Sequence, residues 1–225
     1  AFVLAGCNFP THPTPQAQGA EDPAAHHLRI LTTTTLVADL ARSIVGPYAH
    51  VESLMGPGVD PHLYQASAQD AARLRSAQVV LYNGLMLEGK MGELLAHLGQ
   101  DGGTLCRVYA ISSALAPSDL IYPNGPGKAH PDPHIWFDAR LWAQCGQGLA
   151  HFLAEACPEG REHFFAQAKE LAARCEALHG WVLSQMEQIP KAQRVLITSH
   201  DAFNYLGRAY GVEVVGVQGI STSAQ

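Results

Sequence analysis

Short apolar runs rich in β-branched residues alternate along this chain with stretches whose apolar positions recur every three or four residues. "LRILTTTT" (28–35), "VESLMG" (51–56) and "VVLYNG" (79–84) predict strands, and "CRVYAIS" (106–112) a weaker one. Between them "LVADLARSIVG" predicts a helix stopped at Gly46-Pro47, and "SAQDAARLRSA" a helix with Ser67 as N-cap and Asp70 in its first turn. "LEGKMGELLAHLG" predicts a third helix and "RLWAQCGQGLAHFLAEA" a fourth, stopped before Cys157-Pro158. The stretch 118–132, with three prolines and two glycines, predicts a loop. Strands separated by helices of this length require crossover connections, hence a parallel sheet covered on both faces.

The longest periodic segment follows. Phe164, Ala168, Leu171, Cys175, Leu178, Val182, Gln185 and Ile189 recur at three or four residues, between Pro158 and Pro190. A helix of that length reaches roughly 43 Å, more than the width of one small domain. It is too short for a sustained coiled coil, so it predicts a linker between two lobes. Strand–helix alternation then restarts with "RVLITSH", "DAFNYLGRAYG" and "VEVVGV". A unit with two strands and one helix leaves an edge and a face uncovered. The predicted fold is therefore α/β, two lobes of parallel sheet flanked by helices and joined by one long helix. Residues 28–157 form the first lobe, 158–190 the linker helix, and 191–225 the start of a second lobe truncated in this chain.

The N-terminus changes the picture of location. "AFVLAGCN" is an apolar run closing on Leu4-Ala5-Gly6-Cys7, too short to span a bilayer. It resembles the end of a clipped lipoprotein signal peptide, with Cys7 as the lipidated residue. The Pro-, Ala- and Gln-rich stretch that follows predicts a tether, so 1–27 is read as signal remnant, lipobox and tether. These features predict an extracytoplasmic, membrane-anchored protein. With 47% hydrophobic and 15% charged residues the composition is globular. A formal net charge of −6 and the lack of a basic block argue against nucleic acid as a partner. Cys106, Cys145, Cys157 and Cys175 form no Cys-x-x-Cys pair. Cys145 and Cys175 come level if helices 140–156 and 161–189 form an antiparallel hairpin; they read either as a disulfide or as two small buried apolar residues.

The candidate chemistry lies in three histidines. "VDPHLY" carries His62 and "DPHIWFD" carries His134. A single histidine after Asp-Pro is ordinarily a polar loop residue; two in matching local frames imply a shared task. His200, in "LITSHDAF", sits at the carboxyl end of a predicted strand, where ligands bind in parallel sheets. Pro61 and Pro133 restrict the backbone beside two of these residues, and Asp60 and Asp132 are placed to orient the imidazoles. Neutral imidazoles far apart in sequence but converging in space suit a divalent transition metal. His97, His151, His163 and His179 fall on helical stretches instead. Ser199-His200-Asp201 holds triad residue types, but adjacent residues cannot face one another as a relay requires. A zinc-dependent hydrolase or lyase using the same three histidines is the alternative, and it lacks an evident general base.

Taken together, "TTTTLVADLARSIVG", "LMGPGVDPHLY", "YNGLMLEGKM", "DPHIWFD", "VLITSHDAFNYLGRAYG" and "VQGIST" resemble, in order, the TroA-like solute-binding proteins. These are the metal-binding receptors of bacterial manganese, zinc and iron ABC importers. The resemblance spans Leu28 to Gln225. It implies a receptor and not an enzyme: two lobes on a rigid helix, with a divalent metal ion (Mn2+ or Zn2+, or Fe2+) held as transported ligand in the cleft. It also implies a periplasmic or lipid-anchored state and delivery of the ion to a membrane permease. The family's metal-binding positions match His62, His134 and His200, and its fourth ligand, usually a carboxylate, falls beyond residue 225. This chain lacks the usual proline after Tyr64, the usual acidic residues after "GIST" and a long histidine-rich loop. The missing loop tilts toward manganese, while His200, where many manganese members of the family carry a carboxylate, tilts back toward zinc, so the identity of the metal is open.

Overall fold

A computed structural model describes residues 27–100, 106–123 and 130–218. The Cys7 lipobox and the tether up to residue 26, residues 124–129 of the predicted loop and "GISTSAQ" lie outside the described residues. The first sheet contains β1 (Leu28–Thr32), β2 (Ala49–Ser53), β3 (Val79–Tyr82) and β4 (Arg107–Ala110), all parallel, in the order β2-β1-β3-β4. Its two faces divide by the two-residue period of a strand. Ile30, Val79 and Leu81 point into one core with α1 (Thr35–Val45), α4 (Ala139–Ala156) and α5 (Arg161–Glu187). Leu31 and Val80 point into the other, which Leu74 of α2 (Ala68–Ser76) and Leu95 of α3 (Gly92–Gln100) fill. Burial on both faces is why these strands read as continuous apolar runs.

Local signals act where expected. Thr34 caps α1 by accepting the Val37 N–H, and α1 ends at Val45 because Gly46 turns to φ +51. Ser67 and Asp70 form a reciprocal capping box at the start of α2: Ser67 Oγ accepts the Asp70 N–H and Asp70 Oδ2 accepts the Ser67 N–H.

Three expectations need correction. The strand expected over 51–56 instead covers Ala49–Ser53, after which the Leu54 and Met55 amides bond Thr32 and Thr33 carbonyls. The helix expected from Leu87 begins only at Gly92, behind a short 3₁₀ turn at Gly89–Met91. Leu85, Met86 and Gly89 take positive φ, and a helix cannot propagate through that region. On α5 the buried face runs Phe164, Ala168, Leu171, Cys175 and then His179, leaving Leu178 half exposed. A four-residue step keeps His179 on the row against Tyr210, whereas the three-residue step to Leu178 drifts off it. Of the two readings of Cys145 and Cys175, the buried-residue one holds: both are buried and carry free thiols, as do Cys106 and Cys157. They act as small core residues, and burial pushes the Cys145 thiol up to about 12.

The second sheet pairs β5 (Val195–His200) with β6 (Glu213–Gln218) in parallel, connected by α6 (Asn204–Tyr210). One face is apolar and open: Ile197 is 69% and Val217 76% exposed. The unit is fixed to the first lobe through α6, whose Tyr205 is fully buried in the first lobe's core. Phe203 also packs on Phe137, with ring centres 4.4 Å apart and planes tilted by 39°. Among the described residues no helix is long and apolar enough to cross a membrane.

Candidate metal centre

Each Asp-Pro-His stretch folds by the same local rule. Proline has no N–H, so the aspartate side chain reaches past it to the next donor. Asp60 Oδ1 accepts the His62 backbone N–H at 2.9 Å, and Asp132 Oδ1 accepts that of His134 at 2.9 Å. This turn fixes the direction in which each imidazole leaves the chain. His62 lies in the loop after β2, His134 immediately precedes the 3₁₀ turn Ile135–Phe137, and His200 ends β5.

The three rings meet at one point. His62 Nε2 lies 3.3 Å from His134 Nε2, and His200 Nε2 lies 3.1 Å from the same atom. One ligating nitrogen from each residue falls within 4.8 Å of the others. His62 and His134 are buried and His200 is partly so. A cation about 2.1 Å from each nitrogen would separate its neighbours by about 3.4 Å in a tetrahedron and about 3.0 Å in an octahedron. The observed spacings lie between those values. Three imidazoles favour a transition metal over calcium or magnesium, which take oxygen ligands.

Electrostatics support the neutral, metal-ready form. Burial, followed by the nearby His134, pulls the His62 pKa down to about 4. His62 Nδ1 has no hydrogen-bond partner among the described residues. His134 is held differently: its Nδ1 donates to Asp132 Oδ1 at 2.7 Å. A carboxylate only accepts, so Nδ1 carries the proton and Nε2 keeps its lone pair for the cluster.

A second tier of residues holds these loops, and sequence reasoning singled out none of them for that role. Glu88 is buried, and its carboxylate accepts the Asn83 N–H at 2.7 Å, the Thr33 hydroxyl at 2.8 Å and the Gly84 N–H at 3.2 Å. Burial pushes the Glu88 carboxyl up, and those hydrogen bonds offset part of the push. Asn83 Nδ2 donates to the Pro133 carbonyl, one residue before His134. Gly89, at φ +45, lies so close to the His62 carbonyl that a Cβ would sit 2.6 Å from its oxygen. One loop after β3 therefore braces both Asp-Pro-His turns. The available signal was an acidic residue in an otherwise apolar and glycine-rich run, which asks for buried donors.

Comparison with known proteins agrees with this architecture. Residues 30–225 match the family described as zinc-uptake complex component A, periplasmic. The chain is 40% identical over 223 residues to the manganese-binding lipoprotein MntA of Bacillus subtilis, covering 99% of this chain and 68% of that protein. It is 38% identical over 210 residues to the zinc-binding protein TroA of Treponema pallidum, covering 93% of this chain and 66% of that protein. The solved structure of that periplasmic zinc-binding TroA superposes with a TM-score of 0.81 at 37% identity, covering 88% of this chain and 69% of the other. The chain thus spans about two thirds of the length of these relatives. With the fold, the order of its motifs and the family match in accord, the chain belongs to the zinc-uptake complex component A family of metal-binding proteins, which includes the TroA-like receptors.

Proposed function

We propose that this protein captures a divalent transition metal outside the cytoplasm and delivers it to the membrane permease of an ABC importer, without turning it over. His62, His134 and His200 are the nitrogen ligands. The observation that carries this reading is the convergence of three imidazole nitrogens, two from loops of the first lobe and one from the end of β5. Manganese and zinc are the leading cargoes, with ferrous iron as a third: the relatives are named for manganese and zinc, and the N···N spacings fit both geometries. Three nitrogens leave room for at least one further ligand, for which a carboxylate is the best-matched donor. In domain terms, 28–157 is the metal-facing first lobe, 158–190 the stiff linker, and 191–225 the start of the lobe that brings His200. Within 1–27, the stretch before Cys7 is signal remnant, and Cys7 onward tethers the receptor to the membrane through lipid on Cys7.

Calorimetric titration with manganese, zinc and anaerobic ferrous iron, with calcium as control, tests the cargo. The parent should take up one transition metal per chain and ignore calcium. Unchanged binding by His62→Ala, His134→Ala and His200→Ala would remove the ligand assignment. The anchor is tested separately: mass spectrometry after expression with the intact leader should find lipid on Cys7, lost in Cys7→Ala. A delipidated, membrane-free parent would end that part of the reading.

A further inference from the structure

Asp132 occupies an unusual position for a carboxylate. It is fully buried, and each part of the residue has a partner. Its backbone N–H donates to the Ile121 carbonyl at 2.8 Å, and its own carbonyl accepts the Tyr205 hydroxyl at 2.8 Å. Oδ1 serves His134, through both backbone N–H and ring Nδ1. Oδ2 accepts the Asn204 side-chain amide at 3.1 Å. Asn204 is the first residue of α6, four positions after His200, and belongs to the second lobe. A hydrogen-bond path therefore runs from the second lobe into the first: Asn204 Nδ2 to Asp132 Oδ2, and Asp132 Oδ1 to His134 Nδ1.

We propose that Asn204 is a positioning residue for the His134 ligand, acting through Asp132. A carboxylate with one oxygen committed to Asn204 cannot rotate. Its other oxygen then stays in the plane that holds the His134 ring with Nδ1 protonated and Nε2 free for the metal. The same strand–helix unit thus contributes to the site twice, directly through His200 and indirectly through Asn204. Separating the lobes would break both connections together, so loss of the His200 ligand coincides with loosening of His134. Outer-shell partners of metal-bound histidine fix the tautomer and raise ligand basicity, which is the chemistry this path supplies.

The proposal rests on the metal-receptor reading, and its test separates the two. Asn204→Leu keeps most of the side-chain volume and removes the donor; Asn204→Ala removes both. In metal-free protein with 15N-labelled histidine, two-bond nitrogen–proton correlations report which ring nitrogen of His134 carries the proton. We expect a dominant Nδ1–H form in the parent and a mixture of tautomers in both variants. Zinc and manganese affinity should fall by up to about tenfold, the lower end for outer-shell partners, and equally in Leu and Ala variants. In an Asp132→Ala background the Asn204 substitutions should have no further effect. An unchanged His134 spectrum with parental affinity would overturn the relay, as would an undiminished Asn204 effect in that background. A parent that takes up neither metal would instead sink the receptor reading, while the histidine spectrum would still uphold or overturn the role of Asn204.

Discussion

The two Asp-Pro-His turns share a sequence and a backbone hydrogen bond of the same length, yet they hold their rings in different ways. At 132–134 the aspartate also grips the imidazole, is itself gripped by Asn204, and disappears from solvent. At 60–62 the aspartate serves the backbone of His62, while the ring Nδ1 is left without a hydrogen bond among the described residues. The first ring is fixed by polar contacts and the second by burial and by the loop pressed against its carbonyl. A short motif sets where a side chain starts. Its surroundings set how firmly the side chain is aimed.

This contrast makes predictions of decreasing size. His134→Ala removes the nitrogen that both other rings approach, and should weaken zinc binding by more than the ~100-fold reached by outer-shell changes. Competition calorimetry against a chelator measures it; a loss no greater than for Asp132→Asn would deny His134 its central place. Next, Asp132→Asn should cost about 10- to 100-fold, because the new amide nitrogen must face either the Asn204 donor or the His134 backbone N–H and ring Nδ1–H, donor against donor in both cases. Asp60→Asn keeps an oxygen for the His62 N–H and should cost far less. Equal losses would erase the distinction between the turns.

A third prediction concerns the brace. Gly89→Ala adds a Cβ against the His62 carbonyl at a positive φ, and should destabilise the fold by about 1–3 kcal/mol in chemical denaturation. It should weaken metal binding through His62 while leaving the His134 ring signals in place. The smallest effect is a pH slope. The His62 pKa is lowered from 6.5 unfolded to about 4 folded, so the unfolded chain binds the proton first. Its contribution is fully present above pH 6.5 and is lost as pH falls from 6.5 towards about 4. Denaturation of metal-free protein across that window should show a shallower slope in His62→Phe than in the parent. Identical slopes would mean that His62 is not held neutral by burial.

Much of the fold could be read from local patterns because each depended on near neighbours. The apolar runs of β1 and β3, the Ser67 N-cap and the Gly46 stop all became the expected elements. The late start of α3 was not readable, since the helix-forming run after Leu87 yields to a turn in which Glu88 binds Asn83, Gly84 and Thr33. Nor was the choice of His179 over Leu178 on α5, which depends on Tyr210 arriving from another element. For the site, the repeated Asp-Pro-His and the strand-end position singled out His62, His134 and His200 as candidates. Asn204 carried no local signal of its partner, and Glu88 signalled a need for buried donors without naming them.

By itself, then, the sequence determined the alternation of elements, the long helix and the three imidazoles with stiffened backbones beside two of them. These follow from side-chain period, caps and proline geometry, which act within a few residues. Only the tertiary structure decided that the three nitrogens meet and that Cys145 and Cys175 stay apart as buried thiols. It alone decided that one aspartate holds its histidine ring while its sequence twin does not. Those outcomes depend on which distant groups share a low-dielectric space, where an unpaired polar atom is costly and each partner must come from another part of the chain.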